Sequence, residues 1–168
     1  MFYVNDYVSP VGKILLYASE NGLKGLYFYN QKYFPSIALL QAKNYENEII
    51  YNTKKYLDNY FTGKNTTHNI PLEIDGTEFQ KLIWAMLLKI PYGKTTTYYN
   101  IAKEVAKIRC LKSAPFQAVG SAIGRNKISI LIPCHRVLGK DNSLKGYVAG
   151  LQVKKYLLDL EKIESIKD

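Results

Sequence analysis

The chain has 168 residues, 47% of them hydrophobic and 22% charged, with a net charge of +9. This composition fits a globular protein of one ordinary domain or two small ones, and excludes a disordered or collagen-like chain. Two cysteines do not make a disulfide framework, and no apolar run reaches the roughly 18–20 residues of a membrane span.

The first residues, Met1 to Asp6, lack the basic and apolar regions of a secretory signal, so the expected setting is the cytoplasm with two free thiols. A Cys110–Cys134 bridge is the alternative on paper. Two Cys and two His without ligand spacing give no zinc site, and neither metal nor cofactor is expected. The charge is unevenly spread. Residues 1–76 hold seven Lys/Arg and seven Asp/Glu, whereas residues 77–168 hold sixteen and seven. A basic half beside a neutral one points to a polyanionic partner; the competing reading is a lysine-rich composition that only aids solubility.

In chain order, Phe2-Tyr3-Val4, Lys13 to Ala18 and Leu23 to Phe28 are short β-prone runs. Pro10-Val11-Gly12 and Glu20-Asn21-Gly22 separate them, which predicts an antiparallel meander. Glu46 to Phe61 carries a helical pattern through Ile49, Ile50, Tyr56, Leu57, Tyr60 and Phe61, stopped at Gly63. Residues 63–69 read as a polar linker in which His68 is solvated, followed by a short strand from Pro71 to Ile74.

Thr77 can cap a helix with Gln80 placed for a capping box, and Phe79, Leu82, Ile83, Met86 and Leu87 form its inner face. Pro91-Tyr92-Gly93 ends it. Thr97 opens a second helix with Ile101, Ala102 and Val105 inside. After a basic connection, Ser113 is expected to cap a third helix with Pro115 in its first turn. That helix runs through Phe116 to Ile123, and a last one covers Leu151 to Glu161. Two short helices and an Ala/Gly-rich third read as a helix-turn-helix. The expected division is a residue 1–75 α/β domain and a residue 76–168 helical domain.

Ala118, Gly120 and Ala122, with Ser121 beside them, let a backbone come close to something. Another helix and a DNA groove are equal readings on this feature alone.

The chemistry concentrates in Ile130 to Val137, Ile-Leu-Ile-Pro-Cys-His-Arg-Val. An apolar run ending in Pro133 delivers Cys134 to a fixed place, because proline sets its own φ and restricts its predecessor. Cys134 is either a small buried hydrophobe or a nucleophile, and the second needs a base or a positive charge to favour the thiolate. His135 is adjacent, but in an extended strand it would point the other way and reach the sulfur only through a bend or a water. Glu161, at the end of an apolar helix where the dipole offers a carboxylate nothing, is the acid expected to orient it.

Pro133-Cys134-His135-Arg136-Val137 resembles the active-site signature of the O6-alkylguanine-DNA alkyltransferases, the methylated-DNA–protein-cysteine methyltransferase family. Thr77 to Trp84, Ile90 to Lys94, Thr97-Tyr98, Ala118 to Ala122, Asn126, Gly146-Tyr147 and Leu157 to Glu161 follow in family order. The resemblance is strong over residues 76–162 and covers residues 1–75 only in general layout. It implies an α+β fold: a ribonuclease H-like N-terminal domain with a small antiparallel sheet and a helix, then a winged-helix-like helix-turn-helix domain. It implies a monomer whose partner is double-stranded DNA carrying O6-alkylguanine.

By the same resemblance, Cys134 accepts the alkyl group once, irreversibly, from a flipped-out nucleotide. His135 takes the thiol proton through a water, Glu161 orients His135, and Asn126 braces the active-site turn. Tyr98 gives a proton to the leaving guanine, while Tyr147, Val148, Ile132 and Pro133 line the pocket. Ala118, Gly120, Ser121 and Ala122, with Ser113, Arg109, Arg125 and Arg136, face the DNA.

The sequence departs from the family at three places. Gln117 stands where an arginine normally fills the gap left by the flipped base, and it lacks the charge and stacking plane of arginine. The connection between the first two helices of the motif is longer than usual, and Arg109 or Arg125 is expected to supply the missing contact. Val148 stands where a smaller residue is common, which narrows the pocket against large alkyl groups. A lesion sensor that binds without repairing is the alternative, disfavoured by the intact Cys134. A regulator would be expected to carry an extra regulatory domain, which disfavours that reading, and a thiol protease would draw Cys and His from separated segments.

Overall fold

The computed structural model of the chain describes residues 1–64 and 67–163. It divides into two compact units. One holds residues 1–75 and 127–131; the other holds residues 76–126 and those from 132 onward.

In the first unit, β1 (Phe2–Ser9), β2 (Gly12–Ser19) and β3 (Leu23–Phe28) form the expected antiparallel meander. Gly12, at φ 117°, closes the first hairpin in a conformation glycine adopts without strain. β2 is central and buried on both faces, so it reads as an unbroken apolar run, Ile-Leu-Leu-Tyr-Ala, rather than an alternation. Leu15 and Tyr17 join Val4 and Tyr27 in a cluster covered by Tyr29, Phe34, Leu40 and Ala42. The opposite face takes the helix α2 (Glu48–Phe61). Tyr7, on that face, donates to Asp58 at 2.7 Å and stacks on Phe61.

Two elements escape the sequence reading because neither has a periodic pattern. A single helical turn, α1 (Ile37–Leu40), precedes β4 (Lys43–Asn44), which pairs parallel to β1 and makes the sheet mixed, in the order β3-β2-β1-β4. The expected strand at Pro71–Ile74 is reduced to one bridge, Leu23 with Leu72. Residues 127–131 were expected in the C-terminal domain; they dock instead on β3, where Leu26 N–H donates to Lys127 O at 2.9 Å. His68 is half-buried rather than solvated. Its ring meets Tyr56 edge-on at 5.3 Å, and burial lowers its pKa.

The second unit opens with α3 (Glu78–Leu88), started by the reciprocal Thr77–Gln80 capping box. Trp84, 1% exposed, donates from Nε1 to the Ala122 carbonyl at 2.9 Å, which fixes α3 against α5 (Phe116–Gly124). Between them lies α4 (Tyr98–Ile108), whose first turn is capped by Thr97 Oγ1 accepting from Asn100 N–H at 3.0 Å. A two-residue strand β5 (Thr96–Thr97) pairs in parallel with β6 (Val137–Leu138), and α6 (Leu151–Leu160) is the last described element.

The third helix of the motif starts later than Ser113 predicts. Pro115 takes the cap position at φ −85°, ψ 67°, with no side-chain cap. The proline disfavours helical φ/ψ at Ala114 before it, so the turn containing Ser113 cannot join the helix.

Candidate active site

Ile130 to Val137 is not a strand. Ile130 sits at φ 73°, a conformation that costs a β-branched residue on the order of 1–3 kcal/mol. The chain turns there, passes Pro133 and enters a 3-10 turn, Cys134–Arg136. In such a turn successive side chains diverge by about 120°, not 180°. Cys134 and His135 therefore both stay inside the second unit instead of facing opposite ways.

Cys134 is 3% exposed and His135 fully buried. Asn126 Nδ2 donates to the Ile132 carbonyl at 2.8 Å, tying the end of α5 to the residue before Pro133. Burial pushes the Cys134 thiol up. Four groups pull the other way: the Asn126 amide, the Lys154 charge, and the backbone N–H groups of Cys134 and His135. The resting sulfur is a protonated thiol surrounded by groups that favour the thiolate once a base removes the proton.

His135 is braced from behind. His135 Nε2 lies 2.5 Å from Glu161 Oε2, and Arg136 Nε donates to Glu161 Oε1 at 2.7 Å. Burial alone would raise the Glu161 carboxyl, but His135 and the Arg136 guanidinium bring it down to about 2. Burial also lowers the His135 pKa, against the pull of Glu161. An ionised Glu161 accepting from Nε2–H fixes the tautomer in which Nδ1 is the basic nitrogen.

Arg136 is thereby removed from the expected DNA-binding set. It is 7% exposed, and its Nη1 donates to the Ile90 carbonyl at 2.7 Å. Its charge is committed to Glu161.

Lys154 is the residue that sequence reasoning missed. It is fully buried, and Nζ donates to three carbonyls: Val137 and Lys145 at 2.6 Å and Gly146 at 3.1 Å. It thus clasps the loop bearing Tyr147 and Val148 to the strand that follows the Cys-His turn. Burial lowers its pKa to about 8, with the Cys134 charge opposing. Tyr98, at the start of α4, faces the same loop: its hydroxyl donates to Lys145 O at 3.4 Å, and Lys154 Nζ lies 5.6 Å from its ring centroid. Burial and then the Cys134 charge push its phenol up, so it keeps its proton. Val148 is buried and Tyr147 half-buried.

Two family descriptions match the chain. "6-O-methylguanine DNA methyltransferase, ribonuclease-like domain" matches residues 3–74, and the "DNA binding domain" of the same protein matches residues 78–163. The chain belongs to this family. The methylated-DNA–protein-cysteine methyltransferase of Methanosarcina barkeri is 41% identical over 160 residues, covering 95% of this chain and 97% of the relative. That of Haemophilus influenzae is 38% identical over 165 residues, covering 98% and 88%. The crystal structure of the Mycobacterium tuberculosis O6-methylguanine methyltransferase superposes with a TM-score of 0.81 at 34% identity, covering 96% and 93% of the two chains. The same organism's protein in complex with DNA gives a TM-score of 0.80 at 34% identity, covering 95% and 92%.

The methyltransferase DNA-binding module holds the remaining candidates. α5 buries Val119, Ala122 and Ile123, so Ala122 faces the core and not DNA. Gln117, Ala118 and Ser121 are exposed. A Cβ built on Gly120 or Gly124 meets nothing within 4 Å. No neighbouring helix requires small residues there, which favours the groove reading over the packing one. Ser113 and Arg125 are exposed, and Arg125 lies at the far end of α5 from Gln117. Arg109 follows the last turn of α4 with its guanidinium on the Phe79 ring at 5.1 Å.

Proposed function

We propose that the protein repairs O6-alkylguanine in double-stranded DNA by moving the alkyl group onto its own Cys134, once per molecule. The carrying observation is the buried Cys134–His135 turn backed by the ionised Glu161–Arg136 pair. The reacting carbon cannot be reached inside a duplex, so the nucleotide is extruded before the chemistry. The thiol proton passes to His135 through a water. The sulfur–carbon bond then forms as the carbon–O6 bond breaks, and the guanine leaves with a proton supplied through Tyr98. The thioether does not turn over, so the protein is consumed.

Recognition falls to the outward face of α5, Gln117, Ala118, Gly120 and Ser121, with Arg125 and Ser113 beside it. Ile132, Pro133, Tyr147 and Val148 shape the pocket. Val148 favours methyl over benzyl adducts, a preference that Val148→Gly should relax. Among the described residues no helix is long and apolar enough to cross a membrane, and both cysteines are free. These features suit a monomer working on DNA in a reducing compartment.

The deciding experiment mixes the protein with a duplex bearing one O6-methylguanine and measures its intact mass. One added methyl on the Cys134 peptide, absent in Cys134→Ala, is the expected result. Lesion-selective binding with no mass gain would overturn the repair reading in favour of a sensor.

A further inference from the structure

Gln117 leaves the wedge position without a plane or a charge, yet the residue beside it supplies a plane. Phe116 is the first residue of α5 and Tyr99 the second of α4. Their rings stack with centroids 5.6 Å apart and planes 23° from parallel. Both are open to solvent, Phe116 at 49% and Tyr99 at 39%, so the pair is not part of the core. Two ammonium groups rim it: Lys140 Nζ at 5.2 Å and Lys103 Nζ at 5.9 Å from the Tyr99 centroid.

An exposed π face edged by cations matches the chemistry of nucleic acid, in which bases stack on aromatic rings and phosphates pair with ammonium groups. Apolar side chains that enter a base step also kink the duplex and hold it open. The unit that carries the pair holds eight of the protein's nine excess positive charges, which disfavours a cationic or neutral partner. Arg109 cannot take this role. It lies roughly 15 Å along α4 from Tyr99 at the helical rise per residue, and its guanidinium rests on Phe79.

We propose that Phe116, backed by Tyr99, enters the base stack beside the extruded nucleotide, with Lys103 and Lys140 on the flanking phosphates. This rests on the DNA-repair reading above and names the side chain that keeps the duplex open. Gln117 then hydrogen-bonds at the edge of the gap and does not fill it.

The test compares alkyl transfer from a lesion duplex with transfer from free O6-methylguanine, which needs the pocket but no duplex. Phe116→Ala should slow the duplex reaction by about tenfold or more, the loss of one base–aromatic stack. Its rate on the free base should stay within about twofold of the parent's, and Phe116→Trp should restore the duplex rate. A 2-aminopurine beside the lesion should brighten on binding to the parent and less so on binding to Phe116→Ala. Phe116→Ala matching the parent on the duplex, or losing equally on both substrates, would overturn the proposal. If the parent transfers nothing from either substrate, the repair reading itself has failed.

Discussion

Glu161 Oε2 meets His135 Nε2 at 2.5 Å with both side chains wholly out of water. A carboxylate so placed is sustained by the His135 hydrogen bond and by Arg136 on its other oxygen, since a buried charge without a partner loses several kcal/mol. His135, Glu161 and Arg136 are thus one unit, and none of them can be removed alone.

Glu161→Gln keeps the shape and removes the charge. It strands Arg136 and should destabilise the protein by about 3–5 kcal/mol, the usual loss when one member of a buried pair is deleted. Folding lowers the Glu161 pKa from its ordinary 4.5 to about 2. The group therefore contributes stability above about pH 4.5 that is lost as pH falls through 2, roughly 3 kcal/mol in all. Denaturant titrations of parent and variant should show their stability gap shrinking across that window. A constant gap would mean that Glu161 is not the ionised partner.

His135 is buried with a lowered pKa. Its folded form resists protonation, so it remains a base at pH values where a free imidazole, near 6.5, has charged. The acid limb of the alkyl-transfer rate should consequently fall below about pH 6.5. Single-turnover rates measured from pH 5 to 8 check this, and an acid limb above that value would exclude His135 as the group that accepts the thiol proton.

Lys154 combines a clasp with a charge beside the sulfur. Lys154→Met keeps the stem and loses both the three carbonyl partners and the cation. The Cys134 thiol pKa should rise by about one unit or more, the usual effect of removing a nearby opposite charge. Thiolate absorbance against pH reads this directly. Lys154→Arg should recover part of the shift, whereas equal titration of all three proteins would reduce Lys154 to a strut.

The difference between Lys154 and Cys134 also shows what the sequence could carry. Cys134 and His135 stand out because they are scarce residues behind an apolar run. Lys154 looks like any other lysine in a lysine-rich chain. Its only signal is register: it shares the inner face of α6 with Leu157, Leu158 and Glu161, at spacings of three, four and seven. Arg136 misled for the opposite reason. A cation in the basic half reads as a phosphate ligand until its carboxylate partner, 25 residues on, is placed beside it. Between a bend and an extended strand at Ile130 to Val137 the sequence could not choose, since nothing local announces an isoleucine at positive φ. The helices and the meander were legible because period and capping are local properties. The mixed sheet was not, because β4 is two residues long and depends on β1 for its definition.

Gly120 separates stability from DNA binding. A Cβ there meets no protein atom within 4 Å, and glycine inside a helix is about 0.5–1 kcal/mol worse than alanine. Gly120→Ala should therefore raise the denaturation midpoint. Gly120→Glu should fold as well as the parent, because its side chain projects into open space. If that space belongs to a DNA groove, the added bulk and negative charge on the recognition helix should weaken duplex binding by a hundredfold or so, the effect of a clash together with like-charge repulsion. Free O6-methylguanine should still alkylate the Glu variant at the parental rate. Retained duplex affinity in a folded Gly120→Glu protein would show that α5 presents a different face to DNA, and loss of the free-base reaction would show that the substitution had reached the pocket.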